Sequence, residues 1–252
     1  MSAVSAAQTA LEPSFVFEDR EITTPVLVER SVSCTAIFLV SASAARRFVT
    51  PSGLVLAEVL PGRAAFSLTF TKYVTGDLDA YNEVSMDFLV RHPDEVSSIR
   101  YLGDMASFLR STLPSYVHRR ATDQKIAAQA DREIWGFSTS LGQISLEPVG
   151  TRYQGKLVLG GQRVMTFSVP FGGKRIIPEN EKAIYSRVAG DLCQTVVQTS
   201  AEKVGVHIGG ARLTLGDHPI ASELRGLGLP KRAIASVWRG LVHGATEAPI
   251  PV

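Results

Sequence analysis

Cysteine is scarce: the 252-residue chain has two, Cys34 and Cys193, and neither has a CxxC partner. That excludes a disulfide-rich scaffold and a zinc ribbon. A reduced, intracellular chain is the simplest reading, with one disulfide as the alternative. The five histidines, His92, His118, His207, His218 and His243, form no HxH, HxxxH or HExxH. Spacing therefore offers no metal site, and no cofactor is expected. There is no GxSxG elbow, and the Gly-Gly stretches "GGKR" and "GGAR" lack the P-loop pattern. The longest apolar stretch, around "CTAIFLVSASAA", is too short and too polar to span a bilayer. The N-terminus has neither a basic start nor a signal-type apolar core, so the expected location is cytoplasmic. No long basic run occurs. Arg119-Arg120 and Lys174-Arg175 read as solvated surface doublets, and the formal net charge is only +2, which argues against nucleic-acid binding.

What is present is apolar patterning at strand period. At 45% hydrophobic and 20% charged, the composition suits a folded globular chain. "VLVERSVSCTAIFLVSA", "GLVLAEV" and "AAFSLTFTKYV" are β-branched and apolar and read as strands. "GKLVLGGQRVMTFSV" and "KVGVHIGGARLTL" each place Gly-Gly between apolar runs and read as hairpins. Short helices are predicted in "SASAARRFVTP", "YLGDMASFLRSTL" and "HPIASELRGLGLP", the last with Pro219 near its start, and a short helix or turn in "AAQADREIW". The expected fold is α+β: mainly antiparallel β, a curved barrel or cone with a few short helices. Residues 1–22 read as a loose N-terminal arm, and 23–245 as one domain.

In "YNEVSMDFLVR", Val84, Met86, Phe88 and Val90 alternate with Glu83, Ser85 and Asp87. The plain reading is a half-exposed strand with its acids in water. Elsewhere the plain readings make His118 structural, Trp135 and Phe137 core residues, and Arg132-Glu133 a surface pair.

Taken together, four stretches in order resemble the acetoacetate decarboxylase family. They are "YNEV", "SYVHRRATDQ", "DREIWGFST" and "RLTLGDHPIASELRGLGLP". The family versions of the second and third are "YIHRLPVxQ"-like and "GREIWGFPK"-like. The resemblance implies the family's barrel or cone, a homo-oligomer, and a pocket floored by the third stretch. It also exposes a gap. The lysine of "FPK" forms a Schiff base with the substrate ketone, and its counterpart here is Thr139, flanked by Ser138 and Ser140. A hydroxyl cannot form an imine. The family's assisting arginine should fall near Val32, with Arg30 out of register, and its second glutamate near Ser67 or Leu68. Only Glu83 matches cleanly. Lys125, Lys156 and Lys174 are the candidates for a relocated amine, Lys174 first.

The resemblance thus implies a lyase- or cyclase-type enzyme of secondary metabolism without the imine. Its substrate would be a small oxo acid or ketide-like carbonyl compound. Enolisation, dehydration, cyclisation or hydrolysis would proceed by acid–base chemistry. Glu83 would be the general acid or base. Ser138, Thr139 and Ser140 would hydrogen-bond a carbonyl or enolate oxygen. Arg132 would hold a carboxylate, and His118, Gln124, Trp135 and Tyr81 would line the pocket. The alternatives are a non-catalytic oxo-acid binder, a bare fold with a filled pocket, and a lysine-relocated lyase.

Overall fold

The computed structural model describes residues 13–95 and 101–252. In chain order the strands and helices are β1 (Ser14–Phe17), β2 (Arg20–Thr23), β3 (Val26–Ser41), α1 (Ala42–Val49), β4 (Val55–Leu56), β5 (Glu58–Leu60), β6 (Arg63–Gly76) and β7 (Tyr81–Arg91). There follow α2 (Leu102–Leu109), β8 (Ser115–Thr122), α3 (Lys125–Glu133), β9 (Thr139–Leu141), β10 (Gln143–Val149), β11 (Arg152–Leu159) and β12 (Gln162–Pro170). The chain ends with β13 (Arg175–Val188), β14 (Asp191–Ile208), β15 (Arg212–Leu215), α4 (Pro219–Gly226), β16 (Ala235–Thr246) and β17 (Ile250–Pro251). No described helix is long and apolar enough to cross a membrane.

The large sheet runs β7-β6-β3-β16-β14-β13-β8, and β8 pairs again with β7, so these seven strands close on themselves. Every neighbour is antiparallel except β8 against β13. Strand alternation then divides the residues between two faces. On one face Cys34, Phe38, Phe66, Phe70, Met86 and Phe88 are fully or almost fully buried. They pack against the four-stranded sheet β10-β11-β12-β15 and against α1 and α4. That face is the outside of the barrel. The lumen face carries Thr35, Thr69, Thr71, Glu83, Ser85 and Asp87, which pair across strands in register. The barrel therefore keeps its apolar core outside its wall and a polar lining within.

Several expectations change. Glu83 and Asp87 are buried in the barrel rather than bathed in bulk water, because closure turns their face inward. Gly209-Gly210 does not make a hairpin: β15 pairs with β12, so both glycines, at positive φ, carry the chain from one sheet to the other. Gly160-Gly161 does turn a hairpin, joining β11 to β12. The proposed loose arm is only partly described. Residues 1–12 lie outside the described residues, whereas β1 and β2 pair and bury Phe17 and Ile22 beside Trp135 and Phe137.

The two sheets approach closely at Gly155 of β11. A Cβ there would collide with the ring of Phe70, which stacks on Phe167 with 5.2 Å between centroids. Phe70 is fully buried, so its ring cannot swing out into solvent. Gly155→Ala should cost about 1–3 kcal/mol by overpacking, read as a lower midpoint in urea with an unchanged slope.

Candidate active site

Arg120, on the lumen face of β8, is the centre of the site. Its Nη1 donates to Asp131 Oδ1 at 2.9 Å, and its Nε stands 3.6 Å from Glu83 Oε1. Phe137 supplies a ring 4.1 Å beneath the guanidinium carbon. Asp131 reaches the cluster from the last turn of α3 and also accepts a 3.0 Å hydrogen bond from Thr139 Oγ1. The chain gets from Asp131 to Thr139 through Gly136 at φ +66°, where a Cβ would strike the carbonyl of Arg187. Only glycine fits that close approach and that conformation. The turn is locked by the Phe137 N–H donating to Asp131 O at 2.8 Å and the Arg120 N–H donating to Ser138 O at 3.0 Å. "WGFST" is thus both a turn and the wall of a site.

Two buried carboxyls share one guanidinium, and that sets their titration. Burial pushes both Glu83 and Asp131 up, with Arg120 opposing, and Glu83 reaches about 7. Asp131 has the shorter contact to Arg120 and the Thr139 hydroxyl, which favour its anion. The proton held near neutrality therefore belongs to Glu83, whose other partner is the Tyr73 phenol. Burial and these acids keep Tyr73 and Tyr81 well above their ordinary range, so both stay protonated. Their rings stack at 4.3 Å, and a small, water-sized recess beside them is lined by Val26, Val28, Gly76 and Leu78 as well as both tyrosines. Arg120 Nε is buried without a hydrogen-bond acceptor. A buried, unused charged donor beside a protonatable carboxyl is suited to receiving a developing oxyanion. Among the described residues no group of three or more His, Cys, Asp and Glu is placed to hold a metal ion.

The family model for acetoacetate decarboxylase (ADC) matches residues 19–244. The chain belongs to the acetoacetate decarboxylase family. Solved structures share the fold at low identity. The acetoacetate decarboxylase from Legionella pneumophila subsp. pneumophila str. Philadelphia 1 is 15% identical with a TM-score of 0.65, covering 100% of this chain and 98% of that one. Another acetoacetate decarboxylase is 18% identical with a TM-score of 0.59, covering 92% and 90%. The enduracididine biosynthesis enzyme MppR, solved in complex with pyruvate, is 17% identical with a TM-score of 0.59, covering 90% and 89%. Comparison with curated protein sequences finds no match.

The residues expected from the sequence divide on this geometry. Glu83, Thr139 and Tyr81 belong to the cluster or its edge. Of the three hydroxyls only Thr139 is buried there; Ser138, just ahead of β9, is exposed and Ser140 is half-buried. Arg132 is exposed, and its Nε donates to the carbonyl of Thr139 at 2.8 Å, so it braces the turn instead of facing a ligand. His118 sits on the outer face, 2.7 Å from Glu223 of α4 and tilted against Phe48 and Phe88. Gln124 donates to the carbonyl of Leu78 at 2.8 Å, and Trp135 Nε1 to that of Glu247 at 2.9 Å. Both hold the scaffold. Lys125, Lys156 and Lys174 are all exposed.

Arg120 was misread as surface. Its neighbour Arg119 does turn outward, to Glu223, and past the irregularity at His118 the strand resumes its alternation and turns Arg120 in, opposite Ser85. Asp131 lies inside the matched stretch "DREIWGFST" without having drawn a role, and Tyr73 lies in a strand outside the four matched stretches.

Glu83 makes stability depend on pH. Its folded value, near 7, lies above the ordinary 4.5, so the folded state holds a proton that the unfolded chain releases earlier. Stability is lost as pH rises from about 4.5 to about 7 and then levels off. Glu83→Gln removes the effect. It should melt above the wild type by roughly 2–4 °C at pH 8, the shift that about 1 kcal/mol produces in a chain of this size. The gap should vanish by pH 4.

Proposed function

We propose that this chain is an enzyme that moves a proton next to the carbonyl of a small oxo acid or ketide-like compound, without an imine at the family's lysine position. The observation that carries the reading is the buried Glu83 carboxyl, poised near neutrality beside an unused Arg120 N–H. A group that titrates near the working pH is an effective acid–base catalyst. In its ionised form Glu83 takes the proton from the carbon next to the carbonyl. Arg120 Nε–H stabilises the enolate oxygen. Protonated Glu83 then returns the proton to carbon or gives it to a leaving oxygen. The result is enolisation, or dehydration or cyclisation when the substrate carries a suitable group. Tyr73 keeps the carboxyl oriented, and the Tyr73–Tyr81 pair links it to the recess beside them.

Asp131 and Thr139 serve this chemistry indirectly. Asp131 fixes Arg120, and Thr139 fixes Asp131. The Thr139 hydroxyl proton is already committed to that carboxylate. We therefore move the oxyanion-binding role from the hydroxyl triplet to Arg120. Pyruvate, bound by the fold relative MppR, is the first oxo acid to test. The exposed side chains of Ile176 and Ile208 support a homo-oligomer, which light scattering tests.

Exchange of the protons next to the carbonyl of pyruvate or acetoacetate into deuterium oxide, followed by NMR, tests the reading. The wild type should catalyse exchange, with a rate that rises through an inflection near pH 7. Glu83→Gln should lower the rate by about 10²–10⁴-fold and abolish the inflection while the protein stays folded. Equal exchange by both proteins contradicts the role of Glu83. Borohydride reduction in the presence of acetoacetate should leave the intact mass unchanged. An adduct would show imine chemistry from another lysine, to be located by peptide mapping.

A further inference from the structure

Arg120 faces the lumen because β8 carries one residue more than the strand beside it. Asp87 of β7 pairs with Val117, but Met86 pairs with Arg119. β7 has moved by one residue and β8 by two, which is a β-bulge at His118. Paired side chains share a face. Val117 therefore points with Asp87 into the lumen, and Arg119 points with Met86 to the outer side of the wall. His118 also points outward, against Phe48 and Phe88. Two successive residues thus face out, and Arg120 returns to the lumen opposite Ser85. In a regular strand continuing from Val117, Arg119 would face in and Arg120 out.

One carboxylate holds both outward side chains. Glu223 Oε1 accepts from His118 Nε2 at 2.7 Å and from Arg119 Nε at 3.0 Å, and Oε2 accepts from Arg119 Nη2 at 2.8 Å. Burial pushes the Glu223 carboxyl up, but the hydrogen bonds and charges of His118 and Arg119 outweigh it and bring it down to about 2. An ionised carboxylate donates nothing, so His118 is the donor in its pair. Glu223 comes from α4, whose Ile220, Ala221 and Leu224 are buried against the outer side of the barrel wall. Three residues beyond Ile220, it lies on the same flank of that helix. The cluster stands behind the wall on whose other face Arg120 meets Glu83 and Asp131.

A carboxylate bonded to one residue would merely hold a surface side chain. Bonded to two successive residues it fixes the bulge, because a regular strand would send His118 and Arg119 to opposite faces. We propose that Glu223 is a positioning residue of the active site: by clamping the β8 bulge from behind, it keeps Arg120 turned in toward Glu83 and Asp131. Bulges beside active sites commonly re-aim a side chain, and here the re-aimed one carries the charge that both acids share. The effect on rate rests on the proton-transfer reading, whereas the clamp itself rests on strand register and the Glu223 contacts.

The test follows Glu83 by carbon-13 NMR titration of labelled glutamate, together with melting and the pyruvate exchange assay. The proteins are the wild type, Glu223→Leu, Glu223→Gln, Arg119→Met, and Ile220→Ala, which loosens α4 but leaves the clamp. Of the charges around Glu83, Arg120 acts most strongly, and it lowers the pKa. Cutting the clamp weakens that help. Glu83 in Glu223→Leu should titrate about one pH unit above the wild type, the low end of what losing a neighbouring opposite charge does. The kcat for exchange should fall about tenfold with KM little changed, short of the roughly 10²–10³-fold for outright loss of an oxyanion donor. Arg119→Met should move both readouts in the same direction, and it decides the matter should Glu223→Leu not fold. Glu223→Gln, which keeps Oε1, should lie between the wild type and Glu223→Leu. Ile220→Ala should melt lower and move neither readout. The clamp is refuted if Glu83 titrates as in the wild type when the clamp is cut. It is refuted equally if Ile220→Ala shifts Glu83 as far, since α4 packing alone would then set the site. If Glu83 shifts as expected but the wild type catalyses no exchange, the clamp stands and the proton-transfer reading falls.

Discussion

One guanidinium serves two buried carboxyls, and the rest of the site follows from that shortage of positive charge. Arg120 can hold only one acid closely. It holds Asp131, at 2.9 Å, and leaves Glu83 at 3.6 Å with weaker help. A carboxyl in that position holds its proton to near neutrality. The same shortage explains the local architecture. Phe137 must lie under the guanidinium, Asp131 must arrive from a helix, and Thr139 must close the remaining lone pair. The glycine at 136 makes the intervening turn short enough for all three.

Closure of the sheet makes this arrangement affordable. A strand that is apolar on one face and polar on the other normally offers its polar face to bulk water. Here the apolar faces of β3, β6, β7 and β16 are covered by a second sheet and two helices, which supplies the core. The polar faces are left to line a lumen, where the lower dielectric strengthens every electrostatic contact. The chemistry-bearing residues therefore sit on rigid strands. The α3 helix and the turn after it add only Asp131 and Phe137.

The fold was legible because period-2 patterning and Gly-Gly turns are local signals. Glu83 was legible for the same reason, helped by the motif around it. Arg120 was not, because an Arg-Arg doublet on a strand sends one side chain to each face, and nothing in the doublet says which face is the lumen. Asp131 was hidden beside Arg132: neighbours on a helix point about 100° apart, and the charge suited to a carboxylate ligand drew attention to the wrong one. The three consecutive hydroxyls suggested a shared role that alternation forbids. Gly209-Gly210 has the composition of a hairpin turn, and the choice of partner strand is a long-range decision that no local pattern encodes.

The shared guanidinium is tested most directly by following the side-chain carboxyl carbons of ¹³C-labelled glutamate through a pH titration, with Glu83→Gln assigning the signal. The account predicts that Glu83 titrates near pH 7 in the wild type. It also predicts a clearly lower value in Asp131→Asn, where Arg120 has one acid to serve and the repulsion between carboxylates is gone. A Glu83 signal that titrates near the ordinary 4.5 in the wild type, or that does not move when Asp131 is neutralised, would contradict it.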